Sequence, residues 1–433
     1  MSVAEPAKWS YVPLIIWLFY SITTISIFEF GPLQFPIESK LLLYGYLFFA
    51  HMAIIFGYCS GLKKVKYLRG LEYTDRWLDK KLINKLSLIV SIGIVYAFFR
   101  DSLAGASIQV ATADSFEARE VYTSERSGGI LGYVGAILDS FRVPFLAIIT
   151  ANFKNVSKFS KWVVLFLVLR ILYESFIGSS RSGIMLLLIV LFFSGLPLIF
   201  TKQIDVSLKK FFLIGSVSAL LFLAFSSYIA IARQTIVIED FAQYMANNAR
   251  YDFDYDNFLM PQFSGGLKFI NAGILQGYFY FTHAYAGLSS ALNLPFNGTT
   301  FFFGHSDFLI RNLARIFGED VLLYSYHYQL IASDFSASTL WISAYAWIAS
   351  DVTFIGSLFV LFFFGSLFAR SWIKVTTMPT IVSSALLGWM AYFFFQINFT
   401  FVPADLGAVV SFWGVILMFV FRFKKNRREI ISG

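Results

Sequence analysis

The chain is poor in charge, in cysteine and in histidine, and each shortage excludes something. Only 14% of its 433 residues are Asp, Glu, Lys or Arg, where a soluble domain carries roughly 25%. With 58% hydrophobic and 19% aromatic residues, that deficit excludes an ordinary soluble domain. The single cysteine, Cys59, excludes a disulfide framework, so segments outside a membrane must hold together by packing. There is no HExxH and no DxD beside a soluble nucleotide-sugar fold. No internal repeat is visible, which weighs against transporters built from inverted halves.

What is present is a series of long apolar runs. Runs of about 20 residues almost free of charge mark membrane-spanning helices. Ten are read: about 11–28, 41–61, 86–104, 130–152, 162–178, 183–200, 211–232, 353–370, 378–397 and 407–423. The first is too long and too aromatic for a signal peptide, and no small-residue cleavage site follows it, so it is kept as a span. The expected fold is an all-α polytopic membrane protein of 10–12 transmembrane helices in a single integral membrane domain, 1–433.

Basic loops stay cytoplasmic. Lys63, Lys64, Lys66, Arg69, Arg76, Lys80, Lys81 and Lys85 crowd the second loop, Lys154, Lys158 and Lys161 the fourth, and Lys202, Lys209 and Lys210 the sixth. Lys424, Lys425, Arg427 and Arg428 close the chain. All fall on one side if the N and C termini are both cytoplasmic. The net charge of +8 is therefore an orientation signal, and no nucleic-acid partner is expected.

Two segments then lie outside: 105–129 and the much longer 233–350. Loops of that length are usually functional. Within the second, 269–292 has no formal charge and 336–349 is apolar and Trp-rich, so both are expected to be embedded or interfacial helices; crossing would raise the count to twelve and move Arg311 and Arg315 inside. External cations work against the orientation rule and need a reason: Arg119, Arg126, Arg181, Arg233, Arg250, Lys268, Arg311 and Arg315.

Two pairs of charges lie inside spans: Asp139 with Arg142, three apart, and Arg170 with Glu174, four apart. Each charge at a span centre costs about 2.5–3.5 kcal/mol on insertion scales. Such pairs either lock helices together or shape the floor of an outward-facing polar cavity near Arg181. Arg presents a planar fork that matches phosphate oxygens, so Arg181, Arg233 and Arg119, with Arg250 and Arg126 behind them, are candidate ligands for a lipid-linked phosphate or diphosphate. The small residues of "GSSRSG" around Arg181 let a ligand approach the backbone. "YDFDYDNF", 251–258, places Asp252, Asp254 and Asp256 at alternate positions, but Asn257 and Phe263 stand where a calcium loop wants Gly and Glu. Its aromatics fit acidic-aromatic loop packing or a face for sugar rings.

The Arg-bearing hairpin "GSSRSG", the "SFEAREVY" before a Gly-rich start to the fourth span, the long late external loop and "ASDVTFIGSLFVLFFFG" together resemble the Wzy-type O-antigen and oligosaccharide repeat-unit polymerases, relatives of the O-antigen ligases. In the last motif Val352 and Thr353 stand where the family has Phe-Gly. The resemblance implies a metal-independent, cofactor-free membrane glycosyltransferase at the outer, periplasmic face of the bacterial inner membrane. It would transfer the growing chain from undecaprenyl diphosphate to a new lipid-linked unit, in lipopolysaccharide or other polysaccharide biosynthesis. Membrane lipids and a chain-length regulator protein are the further partners it implies. A ligase and a lipid-linked oligosaccharide flippase are the alternatives. The base for such a transfer is expected on the outer side; His283 ranks first because related ligases are thought to use a loop histidine, then Glu120 and Asp351. His305 and His327 share the long loop.

Overall fold

The computed structural model describes residues 9–68, 80–103, 129–177, 181–234, 252–265, 269–333, 342–377, 379–401 and 405–432. Their regular structure is helical but for one antiparallel pairing of two short strands, β1 (Leu33–Gln34) and β2 (Asp252–Phe253). The helices are α1 (Val12–Phe30), α2 (Lys40–Leu68), α3 (Lys80–Leu103), α4 (Gly129–Asp139), α5 (Arg142–Ala151), α6 (Lys158–Ile177), α7 (Ser182–Phe200) and α8 (Leu208–Gln234). There follow α9 (Phe269–Leu292), α10 (Asp307–Phe317), α11 (Tyr326–Ala332), α12 (Ala344–Thr377), α13 (Ile381–Gln396) and α14 (Leu406–Ser432).

Among the described residues, seven helices are long and apolar enough to cross a membrane, consistent with an all-α membrane protein. They match seven of the ten expected spans, α4 and α5 counting as one. The other three expected spans are α6, which carries Lys158, Lys161, Arg170 and Glu174, and the apolar but shorter α13 and Leu406–Phe421 of α14. The fourth span is broken at Ser140–Phe141, between Asp139 and Arg142.

Neighbouring apolar helices gain little from the hydrophobic effect in lipid, so close backbone approach must hold them together. α2 and α12 show how. Gly57 and Gly61 form a GxxxG face, and a Cβ at Gly57 would lie 2.0 Å from the Phe362 carbonyl oxygen, one at Gly61 2.5 Å from that of Ser366. The two helices run parallel, and nearer their starts Tyr46 Oη meets Ser357 Oγ at 2.6 Å. α13 sits in the centre, buried from Ser383 through Phe394. Its capping box at Thr380–Ser383 satisfies the first orphan N–H groups. α1 runs parallel to it, with Trp17 Nε1 donating to the Phe394 carbonyl at 3.0 Å and Tyr20 Oη to that of Phe395 at 2.9 Å.

These contacts bring one set of helix ends together: the C-terminal ends of α1, α3, α6, α8 and α13 and the N-terminal ends of α2, α4, α7, α12 and α14. α9 stays at that end. A Cβ at its Gly273 would collide with Ser227 near the end of α8, Tyr285 Oη meets Thr24 Oγ1 at 2.9 Å, and Phe281 packs on Phe399. The segment 269–292 thus packs at that end of the bundle, against α8 and α1. Of 336–349, residues 336–341 lie outside the described residues and 344–349 belong to the buried first limb of α12. The break in that helix falls at Thr353, with φ 67° and ψ 167°.

Candidate functional site

Arg181 is the N-cap residue of α7, yet its side chain turns inward and is buried. Its Nη2 donates to Gln276 Oε1 and, at 3.2 Å, to the Ser226 carbonyl, while its guanidinium lies 5.0 Å from the Tyr280 ring centroid. These three partners are neutral. Gln276, Tyr280 and His283 stand at i, i+4 and i+7 on α9, so one helical face carries all three. His283 is buried, stacked on Phe279 at 4.7 Å, and its Nδ1 donates to the Phe279 carbonyl at 2.9 Å. That bond assigns the proton of the neutral ring to Nδ1 and leaves the lone pair on Nε2. Arg181 and His283, separate candidates in the sequence, are thereby joined through Tyr280 on a single patch.

Beside this patch the intramembrane charges form one chain. Arg142 pairs with Asp139 at 2.7 Å and Arg170 with Glu174 at 2.9 Å, as their spacing suggests. The pairs are then joined: Arg142 also makes a two-bond fork onto Glu174, at 2.6 and 2.7 Å. Arg170 also bonds Asp101, which lies 3.8 Å from Arg100. Three Arg and three acidic groups alternate across α3, the α4–α5 break and α6, net neutral. Arg170 is wholly buried, its guanidinium lying over the Phe98 ring at 4.6 Å. α7 abuts this chain: a Cβ at Gly183 would lie 2.5 Å from Ser175 Oγ, one residue from Glu174.

Asp351 occupies a third position. It lies in the eighth residue of α12 rather than at a helix start, so it caps no helix. Instead it caps a loop. Its Oδ1 accepts from Thr300 Oγ1 and, at 2.9 Å, from Gly304 N–H; its Oδ2 accepts from His305 N–H at 3.1 Å and His305 Nδ1 at 3.0 Å. Trp413 Nε1 donates to His305 Nε2 at 3.0 Å. Indole only donates, so His305 is the Nδ1–H tautomer with both nitrogens committed. Asp351 and His305 are arranged to hold structure rather than to move protons.

His327, on α11, stacks on Trp347 at 4.6 Å. Burial pushes its pKa down to about 4, with Asp307 opposing and Arg311 assisting, so it is neutral near pH 7. Its Nδ1 is buried without a hydrogen-bond partner among the described residues.

Glu120, Arg119, Arg126 and Arg250 lie outside the described residues. Arg233 belongs to α8, and its side chain is outside them too. Asp101, Arg100, Gln276, Tyr280 and Trp413 are partners that the sequence alone does not single out. Gln276 and Tyr280 are legible as the i−7 and i−3 neighbours of His283; Asp101 and Trp413 carry no local signal. Among the described residues no cluster of His, Cys, Asp and Glu is disposed to hold a metal ion. No family model, no curated protein and no solved structure matches the chain.

Proposed function

We propose that this protein is a membrane glycosyltransferase of the repeat-unit polymerase type, joining undecaprenyl-diphosphate-linked oligosaccharides at the outer face of the bacterial inner membrane. The observation that carries the reading is the shared patch of Arg181 and His283, whose guanidinium and ring meet through Tyr280 at one end of an apolar bundle. The basic loops favour cytoplasmic termini, which turns that end toward the periplasm.

In the reaction, a hydroxyl oxygen of the newest lipid-linked unit attacks the anomeric carbon at the reducing end of the growing chain. The bond from that carbon to the diphosphate oxygen breaks, and its electron pair leaves with undecaprenyl diphosphate. His283 Nε2 accepts the hydroxyl proton; a positioned base of this kind contributes roughly 10²–10⁴-fold. Arg181 balances the negative charge gathering on the leaving diphosphate, in a site where low dielectric strengthens the interaction. The six-charge chain fixes the end of α6 against which α7, the helix that carries Arg181, is packed.

Deletion of the gene and a polysaccharide gel test this. A surface glycolipid bearing a single repeat unit is the expected result. Surface lipid with no repeat unit, combined with accumulated polymer on its carrier, overturns it in favour of a ligase. Accumulation of units facing the cytoplasm overturns it in favour of a flippase.

A further inference from the structure

The loop between α9 and α10 holds two successive residues in the left-handed region, Phe301 at φ 52° and Phe302 at φ 67°. Neither is glycine, so each costs about 1–2 kcal/mol of backbone strain. Their side chains are thrown outward, Phe301 71% and Phe302 66% exposed, and Phe303 is exposed beside them. A water-facing loop would gain nothing from this.

Two features say what faces them. The first is depth. The loop is tied through His305 to Trp413, seven residues into α14, which is ~10 Å from that helix's start at 1.5 Å per residue. The loop therefore dips below the end of α14. The second is its hydrogen bonding. Phe301 N–H donates to Thr299 Oγ1 at 3.2 Å and Phe303 N–H to the Thr300 carbonyl at 2.9 Å. Gly304 and His305 N–H donate to Asp351, and Ser306 N–H to the Phe303 carbonyl at 3.4 Å. Irregular backbone at membrane depth must find its partners inside the protein, because each unmet group costs several kcal/mol in lipid. Five of the six N–H groups from Phe301 to Ser306 meet that condition without water; that of Phe302, at the tip, has no partner among the described residues. The exposed apolar surface resumes at the end of α10 with Ile316 and Phe317, whereas Arg311 and Arg315 are also exposed on that helix, as at a headgroup layer.

We infer that residues 299–303 form a re-entrant wedge, pinned by Asp351, whose phenylalanines lie among the acyl chains of the bilayer. The inference rests on the membrane character of the chain and is independent of the reaction proposed for it. The lone cysteine makes the test direct. In a Cys59→Ser background, a nitroxide is placed at Phe302→Cys, with Phe19→Cys on the outer face of α1 and Asp256→Cys in the exposed turn after β2 as references. In vesicles of phosphatidylethanolamine and phosphatidylglycerol, the ratio of oxygen to nickel-chelate accessibility at Phe302 should match that at Phe19 and exceed that at Asp256 severalfold. A ratio equal to that at Asp256 places the wedge in water and overturns the inference. Protection from both reagents means that protein covers it, and overturns it equally. Phe301→Cys gives the same reading if Phe302→Cys does not accumulate.

Discussion

Arg142 and Glu174 meet fork to fork across α5 and α6, Nη1 to Oε2 at 2.6 Å and Nη2 to Oε1 at 2.7 Å. This bond turns two local pairs into one chain, and the chain can be told from two pairs by double variants. Glu174→Gln alone leaves the chain with one Arg more than its acids, although Arg142 keeps Asp139 and Arg170 keeps Asp101, and should cost up to about 3–5 kcal/mol, the range for a broken buried pair, seen as loss of protein from the membrane. Asp139→Asn with Arg142→Gln, or Arg170→Gln with Glu174→Gln, leaves neutral pairs behind and should restore abundance. Arg142→Gln with Glu174→Gln takes from Asp139 its bond to Arg142 and from Arg170 its bond to Glu174, so it should not. Equal rescue by all three doubles would refute a connected chain.

Arg181→Ala should lower polymer yield about 10- to 150-fold, the equivalent of about 1.5–3 kcal/mol for a bond to a charged group, with protein remaining in the membrane. Arg181→Lys should recover only part, since an ammonium cannot replace the fork that also reaches Gln276. Quantitative glycan gels normalised to membrane protein decide it, and near-normal polymer from Arg181→Ala removes this residue from the reaction.

His283→Ala should lower yield by about 10²–10⁴-fold if Nε2 takes the hydroxyl proton. His283→Gln, which can keep a bond to the Phe279 carbonyl, should retain abundance and not activity. Full activity in both returns His283 to a packing role.

Asp351→Asn should act on stability first. An amide offers one acceptor oxygen where four donors converge, and each buried donor left unmet costs about 1–3 kcal/mol. Trp413→Phe removes the donor to His305 Nε2 and should free that ring to change tautomer, visible in the ¹⁵N shifts of His305. Unchanged shifts would mean that the indole does not set the tautomer.

His327 binds its proton less tightly when folded, at about 4 against an ordinary value of 6.5. Its contribution to stability is therefore complete above about pH 6.5 and is lost as pH falls toward 4. Melting temperature in detergent should drop over that window. His327→Phe keeps the stacking on Trp347 and removes the unmet Nδ1, so it should flatten the drop and raise stability by about 1 kcal/mol. An unchanged pH profile in that variant assigns the drop to other groups.

The helices are legible in the sequence because lipid demands long apolar runs and little else; α1, α2 and α7 track those runs closely. The ion pairs Asp139–Arg142 and Arg170–Glu174 are legible because helical spacing alone brings them together. Their fusion is not, since it depends on the start of α5 meeting α6, and the extension to Asp101 depends on α3 and α6 running side by side; both are relationships of tertiary packing that leave no local mark. For Asp351, an apolar run beginning at Thr353 suggests a helix start. The helix begins nine residues before Thr353, on the far side of a break that hydropathy cannot register.

That break at Thr353 divides responsibility for register. Below it, Gly365 and the Gly57–Gly61 seam fix where α12 sits against α2. Above it, the Asp351 lock and the bond from Ala344 N–H to the Ile397 carbonyl fix the short limb. An inserted residue rotates all downstream side chains by about 100° in a continuous helix of 3.6 residues per turn. Here an insertion immediately after Thr353 would be absorbed in part at a residue that is already non-helical, so the two limbs are free to accumulate substitutions as separate segments.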